Sequence, residues 1–405
     1  MKILIVNSWY YPNMLGGAEQ STKLLADNLA EKGHTVAVYC ADSKHINNIS
    51  KETIGEVTVY RSNIGYETLQ EELTTIGKIK SKLYDLRDSR VKSDLNSIFR
   101  EFYPDIVHTN SLRGISFFIW KYCKKEKIKT CHTIRDYSLI TPNGTLKNDK
   151  GLLYDLFTKF YGRKARHFSN YVDIVTAPSE FTLNELLKKN YFTSSEEKIC
   201  IPNSISFNDL NFKNNINYKW ETTIEKPRYL YVGRLYETKG IKQMISAFQN
   251  LPINDAELVI CGTGDLDSYV EEYAKKDNRV IFKGMLTSSE LSIEYEQANV
   301  LIVPSVWEEP FGRVLIEGNY YGLPVIASNR GGIPEIIDTV GGGVLYDPEN
   351  IEDLTKLMYD FSNSNYVKSF YSSILDNLYK YSVEKQIESF EKIYSSTFKG
   401  VSNEY

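Results

Sequence analysis

The stretch between residues 299 and 328 constrains the fold more than any other part of the sequence. Two apolar runs, Asn299–Pro304 and Pro324–Ser328, have the unbroken hydrophobicity of strands that are buried on both faces of a sheet. Between them, Gly312 lies where a turn must lead into a short helix, and Gly322 lies where that helix must end. A strand, a helix and a second strand form one βαβ unit, so the pattern predicts a parallel α/β sheet.

The same pattern opens two separate regions of the chain. Near the N-terminus, strands are expected at Lys2–Asn7 and Thr35–Cys40, with a helix from about Ala18 to Lys32 between them. A second series begins with the strand-like segment Arg228–Leu235 and continues with Leu258–Gly264. We therefore expect an α/β protein with two doubly wound, Rossmann-like domains.

The domain boundaries follow from where this alternation stops. Residues 1–205 are expected to form the first domain, and residues 227–379 the second. Residues 206–226 are rich in Asn and lack a sustained hydrophobic period, so they are predicted to form a linker.

Composition excludes several classes of protein. No run of 18 apolar residues is present, and the apolar start of the chain is too short for a signal peptide, so we expect a cytoplasmic protein. The five cysteines are scattered without CxxC spacing, which argues against a disulfide framework or a zinc site. We expect them to be small buried side chains.

The two halves of the chain differ in charge. Lys and Arg outnumber Asp and Glu by 29 to 23 in residues 1–200, a net charge of +6, whereas residues 201–405 have 19 against 29, a net charge of −10. Within residues 66–100, an apolar helical stripe (Ile76, Ile79, Leu83 and Leu86) is surrounded by basic residues (Lys78, Lys80, Lys82, Arg87, Arg90 and Lys92). Such a helix either packs against its own domain or binds an anionic membrane surface or another partner.

Two carboxylates flank the start of the helix predicted after Gly312. Glu309 precedes this helix, and Glu317 lies about 12 Å further along by helical rise. Helix N-termini bind phosphate oxygens, and carboxylates accept hydrogen bonds from hydroxyl groups. The alternative is that each glutamate is an ordinary solvated side chain. As a pair, they fit the two ends of a sugar nucleotide, with its diphosphate in the middle.

The segment Glu309-Pro-Phe-Gly-x4-Glu317, followed by Tyr-Gly-Leu-Pro-Val-Ile-Ala, resembles the E-x7-E signature of the retaining glycosyltransferases of family 4. The resemblance extends over nearly the whole chain. It implies the GT-B fold, in which two Rossmann-like domains face a central cleft. It also implies that residues 380–405 form a terminal helix that crosses back onto the first domain.

The resemblance indicates where a nucleotide-sugar donor would bind. Gly16 and Gly17 match the family loop that approaches the donor diphosphate, and glycine allows close approach of backbone N–H groups. Arg234 and Lys239 match the family element that supplies two cations to the diphosphate, although either could be a solvated basic residue. The remaining expected donor contacts are Gly262, Met285, Leu286, Glu309, Phe311, Gly312, Arg313, Val314, Leu315 and Glu317.

Candidates for the acceptor side follow two predicted strands of the first domain. His108 and Asn110 end one strand, and His132, Arg135 and Asp136 follow the next. The second segment resembles the family pattern H-T-L-H-D-Y, but Arg135 stands where a histidine that faces the reaction centre is commoner. Either Arg135 supplies an electrostatic version of that role, or His132 takes it over. For each histidine, a purely structural role is an equal alternative.

Taken together, the sequence predicts a retaining glycosyltransferase. It would move a sugar from a nucleotide diphosphate sugar to a glycan or lipid-linked acceptor, in cell-surface polysaccharide or glycoconjugate synthesis, at the inner face of a membrane if the acceptor is a lipid. The expected catalytic residues are Glu309, Arg234 and Lys239, with Arg135 or His132. No metal, cofactor or nucleic acid is expected, since cations can stabilise the leaving diphosphate and no DxD-type acidic cluster is evident. The alternatives are an epimerase or phosphorylase on the same fold, or a binding protein without catalysis.

Overall fold

The structure is a computed structural model, and it describes residues 1–13, 16–42, 49–63, 82–83, 85–86, 89–141, 144, 146 and 152–399. The chain divides into two compact units. The first unit consists of residues 1–204 and 383–405, and the second consists of residues 205–382.

The first unit alternates strands and helices along the chain. Its elements are β1 (Lys2–Val6), α1 (Gly17–Glu31), β2 (Thr35–Ala41), β3 (Ser50–Ile54), β4 (Val57–Ser62), α2 (Ser89–Phe102), β5 (Ile106–Thr109), α3 (Phe118–Lys125), β6 (Lys129–Thr133), α4 (Leu152–Ser169), β7 (Ile174–Ala177), α5 (Glu180–Leu187) and β8 (Glu197–Cys200). Within the described residues, the strands form one sheet in the order β3-β4-β2-β1-β5-β6-β7-β8. Only the β3–β4 pair is antiparallel there.

The second unit repeats this architecture. Its elements are α6 (Asp209–Glu221), β9 (Arg228–Val232), α7 (Ile241–Gln249), β10 (Glu257–Cys261), α8 (Asp267–Lys276), β11 (Val280–Gly284), α9 (Ser288–Gln297), β12 (Val300–Val303), α10 (Arg313–Tyr320), β13 (Val325–Ser328), α11 (Ile333–Val340), β14 (Gly343–Tyr346), α12 (Ile351–Asp360), α13 (Ser364–Lys368) and α14 (Tyr371–Asn377), with short 3₁₀ helices at Glu237–Lys239 and Leu378–Tyr381. The sheet is parallel, in the order β11-β10-β9-β12-β13-β14.

Each sheet reverses its strand order at one point. In the first unit the reversal lies between β1 and β5, and in the second it lies between β9 and β12. In doubly wound sheets, ligands bind beyond the carboxyl ends of the strands at this switch point. The predicted pair of doubly wound α/β domains is confirmed, and the two switch points are where functional residues should be sought.

The last helix, α15 (Val383–Lys399), belongs to the first unit. Its residues Ile387, Phe390 and Tyr394 are buried in the same hydrophobic cluster as Leu25 of α1 and Ile5 of β1. The terminal segment therefore completes the core of the first unit instead of extending the second.

The predicted linker over residues 206–226 is wrong for most of its length, because α6 occupies this segment. Asn208 caps the helix with its side chain, and Phe212 and Ile216 are buried in the core of the second unit. The third buried position is Lys219, whose ammonium donates to the carbonyl oxygens of Glu296 and Ala298. Burial lowers the pKa of Lys219 to about 8.

The basic amphipathic stretch predicted around residue 80 is described only in part. Ile76, Ile79, Lys78, Lys80 and Arg87 lie outside the described residues, as does the side chain of Arg90. Leu83 is exposed at 36% and Lys92 is also exposed. Lys82, by contrast, is buried with its ammonium 3.4 Å from the buried Asp85 carboxylate, so its placement on a solvated basic face is wrong.

Two further expectations concern the core and the membrane. Cys40, Cys123, Cys131 and Cys261 are buried as predicted, and Cys200 is half-buried. Among the helices in the described part of the chain, none combines the length and apolar character needed to cross a bilayer.

Candidate active site

The switch point of the second sheet gathers several of the residues predicted to bind a donor. The loop after β9 carries Gly233 and Arg234 and leads through the short 3₁₀ helix to Lys239. The loop after β12 carries Glu309 and leads into α10. Since β9 and β12 are parallel neighbours, their carboxyl ends bring these two loops together.

Lys239 and Glu309 form an ion pair at this edge. The Lys239 ammonium lies 2.5 Å from Glu309 Oε1, and the buried Ser305 hydroxyl donates to the same oxygen at 2.6 Å. Lys239 Nζ also lies 5.1 Å from the centre of the Trp307 ring, within the range of a cation–π contact. The Lys239 ammonium is thus held in place by the neighbouring side chains of Glu309 and Trp307.

The Glu309 carboxylate stays charged although it is nearly buried. Burial alone would raise its pKa, but the Lys239 charge and hydrogen bonds from Lys239 and Ser305 outweigh that effect and lower the pKa. Its side chain is only 10% exposed, against 24% for Lys239. The pair therefore presents its positive member to solvent and its negative member to the interior.

The start of α10 supplies backbone donors beside this pair. Gly312 precedes the helix with a φ of 101°, in the left-handed region that favours glycine. The first N–H groups of a helix have no intrahelical acceptor and carry a partial positive charge. This helix start can therefore bind an anion such as a phosphate.

Glu317 lies one turn into α10 and interacts with two neighbouring side chains. Its Oε1 is 3.0 Å from Arg313 Nε, and the buried Tyr295 hydroxyl donates to Oε2 at 3.4 Å. Burial raises the pKa of Glu317, while Arg313 and Tyr295 act in the opposite direction. A carboxylate in this setting, with a side chain 27% exposed, remains accessible to hydroxyl groups of a ligand.

The other predicted donor residues divide by exposure. Arg234 is exposed, with its guanidinium 5.9 Å from the Tyr236 ring centre, and Met285 is 76% exposed. Leu286 and Val314 are partly buried against the core, whereas Phe311 and Leu315 are fully in it. The side chains of Phe311 and Leu315 therefore anchor the turn at the start of α10 in the core. At these two positions only backbone atoms can contact a ligand.

Gly262 has a packing role that the sequence does not reveal. Its φ is 138°, and a Cβ atom at this position would lie 1.8 Å from the carbonyl oxygen of Gly233. The loops after β9 and β10 can approach each other only because this side chain is absent. Gly262 thus shapes the edge of the sheet on which Arg234 lies.

Gly16 and Gly17 lie at the start of α1, which begins one residue before the predicted position. Gly16 is the N-cap and Gly17 the first helical residue. A Cβ atom on Gly17 would meet no protein atom within 4 Å. The fold does not need glycine at this position, which is consistent with room for a ligand.

Arg135 follows β6, the strand next to β5 at the switch point of the first sheet. Its Nε donates to the Asn110 side-chain oxygen at 2.9 Å, and its Nη1 donates to the side-chain oxygen of Asn203. Asn110 is only 1% exposed, so it holds Arg135 from beneath and does not itself face a ligand. Asp136 is half-buried and accepts a hydrogen bond from the Ser138 backbone at 2.8 Å.

His108 is not available to an acceptor. It is fully buried, and its two ring nitrogens lie 2.6 Å from the Tyr394 hydroxyl and 2.7 Å from the Thr133 hydroxyl. Burial, with the nearby charges of Arg135 and His132, holds the pKa of His108 well below its usual value. The acceptor-side prediction for this residue is wrong because one nitrogen bonds Tyr394 of α15 and the other bonds Thr133 of the neighbouring strand β6.

His132 is likewise a core residue. It is 4% exposed, stacks on Phe192 at 5.6 Å between ring centres, and lies 2.9 Å from the Thr109 hydroxyl. Burial lowers its pKa to about 3. The prediction that His132 could take the reaction-centre role is therefore wrong, and of the two alternatives only Arg135 is placed to meet a ligand.

Sequence reasoning missed three members of these sites. Ser305 and Trp307 surround Lys239 and Glu309, and Asn203 holds Arg135. Ser305 and Trp307 directly follow a buried strand that leads to Glu309, and that position is a signal that could have found them. Asn203 comes from a loop distant in sequence.

Among the described side chains, no group of three or more His, Cys, Asp or Glu residues could hold a metal ion.

Family models match both units. Residues 15–207 match the model described as Glycosyltransferase Family 4, and residues 213–374 match the model described as Glycosyl transferases group 1. An uncharacterized 42.6 kDa protein in the cps region of Klebsiella pneumoniae is 31% identical over 89% of this chain and 93% of its own length. Alpha-monoglucosyldiacylglycerol synthase of Streptococcus pneumoniae is 24% identical over 99% of this chain and 91% of its own.

Solved structures show the same fold. Sucrose-phosphate synthase from Thermosynechococcus elongatus superposes with a TM-score of 0.76 at 18% identity, covering 98% of this chain and 99% of that one. The Anabaena protein HepE, solved in complex with UDP, gives a TM-score of 0.67 at 15% identity, covering 98% and 100%. With family models on both units and a relative above 30% identity along nearly the whole chain, this protein belongs to the GT-B glycosyltransferases related to family 4.

Proposed function

We propose that this glycosyltransferase uses a nucleotide diphosphate sugar as its donor and transfers the sugar with retention of its anomeric configuration. The observation that carries the proposal is the Lys239–Glu309 pair beside the start of α10, at the switch point of the second sheet. A fixed cation and a helix N-terminus together are suited to a diphosphate. The UDP found in HepE, a protein of the same fold, is consistent with such a donor.

Each part of the donor would bind a different group of the protein. The diphosphate would bind Lys239, the exposed Arg234 and the N–H groups that open α10. Glu317, one turn along this helix, would accept hydrogen bonds from the ribose hydroxyls. The nucleotide base would lie near Gly262, Met285 and Leu286.

The proposed chemistry is stabilisation of a leaving group. As the bond between the sugar and the diphosphate breaks, negative charge grows on the leaving oxygen, and cations already in position stabilise that charge without reorganising. Glu309, Ser305 and Trp307 hold the Lys239 ammonium in place before any ligand binds. We propose that these cations act without a metal ion, so turnover should survive treatment with EDTA.

We propose that the first unit binds the acceptor, with Arg135 contacting the transferred sugar or the acceptor hydroxyl. Asn110 and Asn203 fix the guanidinium, and Arg135 itself is only half-buried. The relatives include a protein from a cps region and a glycolipid synthase, which supports a polysaccharide or lipid-linked acceptor in cell-surface synthesis. An enzyme acting on such lipids would work at the inner face of a membrane.

The test has two stages. A thermal-shift screen with UDP, GDP and ADP should raise the melting temperature with one base, because ligands stabilise only the state that binds them. The corresponding sugar nucleotides are then incubated with lipid and oligosaccharide acceptors, and NMR of the product reads the anomeric configuration. A product with inverted configuration, or no stabilisation by any nucleoside diphosphate, would contradict the proposal.

A further inference from the structure

One face of α4 is exposed along most of the helix. The exposed positions are spaced by three and four residues, so they form a single stripe on the helix surface. The opposite face includes Tyr161 and Ala165, which are fully buried. The exposed stripe consists of Leu156, Lys159, Phe160, Arg163, Lys164 and His167, and is called the α4 stripe below.

The α4 stripe exposes two large apolar side chains. Leu156 is 54% exposed and Phe160 is 48% exposed. Of the phenylalanines whose side-chain exposure the structure describes, Phe160 alone is in the exposed class. The two residues are four positions apart, so they are neighbours on the same helix face. About half of each side chain is therefore in contact with water.

The stripe is also strongly basic. Lys159, Arg163 and Lys164 alternate with the apolar pair, and Lys164 Nζ lies 6.0 Å from the Phe160 ring centre. Among the described carboxylates, none lies within 4.0 Å of these three cations. The stripe therefore carries three positive charges that the described part of the protein does not neutralise by ion pairing.

The helix that carries the stripe is firmly attached to the first unit. The Tyr161 hydroxyl donates to the buried Asp85 carboxylate at 3.1 Å, and the Tyr191 hydroxyl donates to the Gly162 carbonyl oxygen at 3.2 Å. The Arg166 guanidinium lies over the Tyr191 ring, 5.8 Å from its centre. The exposed side chains are thus presented on a rigid support.

We propose that the α4 stripe is a docking surface for an anionic lipid bilayer. A helix that lies in a membrane interface inserts apolar side chains at the level of the lipid headgroups and pairs its cations with lipid phosphates. Leu156 and Phe160 supply the first component, and Lys159, Arg163 and Lys164 supply the second. This surface differs from the stretch around residue 80, where Lys82 is buried.

Other occupants match the stripe less well. A second copy of the chain docked by the same face would bring three cations against three cations, which repel at short range. A nucleic acid would pair with the cations but would offer nothing to Leu156, since its outer surface is a phosphate backbone. The combination of exposed aliphatic, aromatic and basic side chains is complementary to a charged lipid interface.

The inference rests on the surface of α4 and not on the proposed transfer reaction. It would add to that reaction a way to reach a lipid-linked acceptor. Vesicle binding and donor binding are measured separately, so one can fail while the other holds. Stabilisation by a nucleoside diphosphate in each variant reports on the donor site alone.

The test is flotation of the full-length protein with vesicles of phosphatidylglycerol and phosphatidylcholine, compared with phosphatidylcholine alone. The wild type should float with the anionic vesicles and not with the neutral ones, and high salt should weaken binding. Two variants, Leu156→Ser/Phe160→Ser and Lys159→Gln/Arg163→Gln/Lys164→Gln, should each lower the fraction bound about tenfold or more.

Matched controls change exposed residues elsewhere. Lys92→Gln/Arg100→Gln/Lys121→Gln removes three exposed cations from the same unit, and Leu210→Ser/Tyr218→Ser removes two exposed apolar side chains from α6. Both should bind like the wild type. The proposal is overturned if the wild type does not bind anionic vesicles at low salt, or if the controls lose as much binding as the stripe variants. If only Lys159→Gln/Arg163→Gln/Lys164→Gln lost vesicle binding, and Leu156→Ser/Phe160→Ser bound like the wild type, the stripe would be a general polyanion site. That result would also overturn the proposal.

Discussion

The switch points of the two sheets have the same topology but different chemistry. At the second, Lys239 is held against a charged Glu309, and exposed Arg234 and the start of α10 lie on the adjoining loops. At the first, Arg135 is held by the amide oxygens of Asn110 and Asn203, and the two nearby histidines are buried. Two cations beside a helix N-terminus suit a diphosphate, whereas a single guanidinium held by two amide oxygens offers one positive charge.

One glycine in each unit, beyond the carboxyl ends of the strands, also differs in what surrounds it. Gly262 in the second unit is required by the protein, because a Cβ atom would clash with the Gly233 carbonyl oxygen at 1.8 Å. Gly17 in the first unit meets nothing within 4 Å. Packing therefore requires the glycine at position 262, whereas the glycine at position 17 leaves open space beside the helix start.

The largest effect is expected at Lys239. Lys239→Ala removes a cation fixed beside the proposed leaving group, and we expect kcat to fall by about 10²–10³, as when one preorganised donor is removed from other active sites. The matched control is Lys242→Ala, which removes an exposed lysine ion-paired with Glu237 in the same part of the second unit. Steady-state kinetics of both variants decide the matter. A kcat of Lys239→Ala near that of the wild type would remove this residue from the chemistry.

The next effect concerns stability at Gly262. Gly262→Ala forces a side chain into the contact between two loops, and we expect it to lower the free energy of unfolding by about 3 kcal/mol. Gly17→Ala should leave that free energy unchanged or slightly raised, since alanine favours a helix. Gly17→Ala should nevertheless lower kcat/KM several-fold if a ligand occupies the open space. Denaturant unfolding and kinetics on both variants test the contrast, and equal loss of stability in the two would refute it.

A smaller effect on turnover is expected at Arg135. Arg135→Ala should lower kcat about tenfold, because one electrostatic contact to the reacting groups is lost. Asn203→Leu removes one hydrogen-bond acceptor of the guanidinium and should also lower kcat. Asn203→Asp should keep most of the activity, because a carboxylate oxygen still accepts the hydrogen bond from Arg135. If Asn203→Leu kept full activity while Arg135→Ala did not, the support by Asn203 would be unimportant.

A pH dependence of stability is expected from His132. Its pKa is about 3 in the folded protein, against 6.5 for an ordinary histidine. The unfolded chain therefore binds more protons between these pH values, and stability is lost as the pH falls from 6.5 toward 3. One such histidine contributes up to about 1.4 kcal/mol per pH unit in that window. Thermal unfolding of His132→Phe should show a shallower acid dependence than the wild type, while His167→Phe, which changes an exposed ring, should match the wild type.

Much of the second unit could be predicted from the sequence. Its strands are continuous apolar runs, and its turns carry glycines that mark the strand ends, so Lys239, Glu309 and Glu317 were placed correctly at the edge of a parallel sheet. Helix α6 was missed because its buried positions are Phe212, Ile216 and Lys219. A lysine in the third position breaks the apolar period, and its fit depends on carbonyl oxygens more than 70 residues away.

The first unit was harder to predict, because burial decides the role of its polar residues. His108 and His132 lie near strand ends, where function concentrates, yet both side chains point into the core. Their partners Tyr394, Thr133 and Phe192 come from distant parts of the chain. No local pattern around His132 distinguishes it from an exposed histidine, and only the packed structure shows that Arg135 is the accessible member of the pair.

The central claim is that the Lys239 charge acts on the diphosphate of the donor. Isothermal titration can test it with the nucleoside diphosphate selected by the thermal-shift screen and with the same nucleoside lacking phosphates. In Lys239→Ala, the Kd for the diphosphate should rise about tenfold or more relative to wild type, as expected for a lost charge-assisted contact, while the Kd for the nucleoside stays unchanged. An unchanged Kd for the diphosphate, or an equal loss for both ligands, would contradict the account.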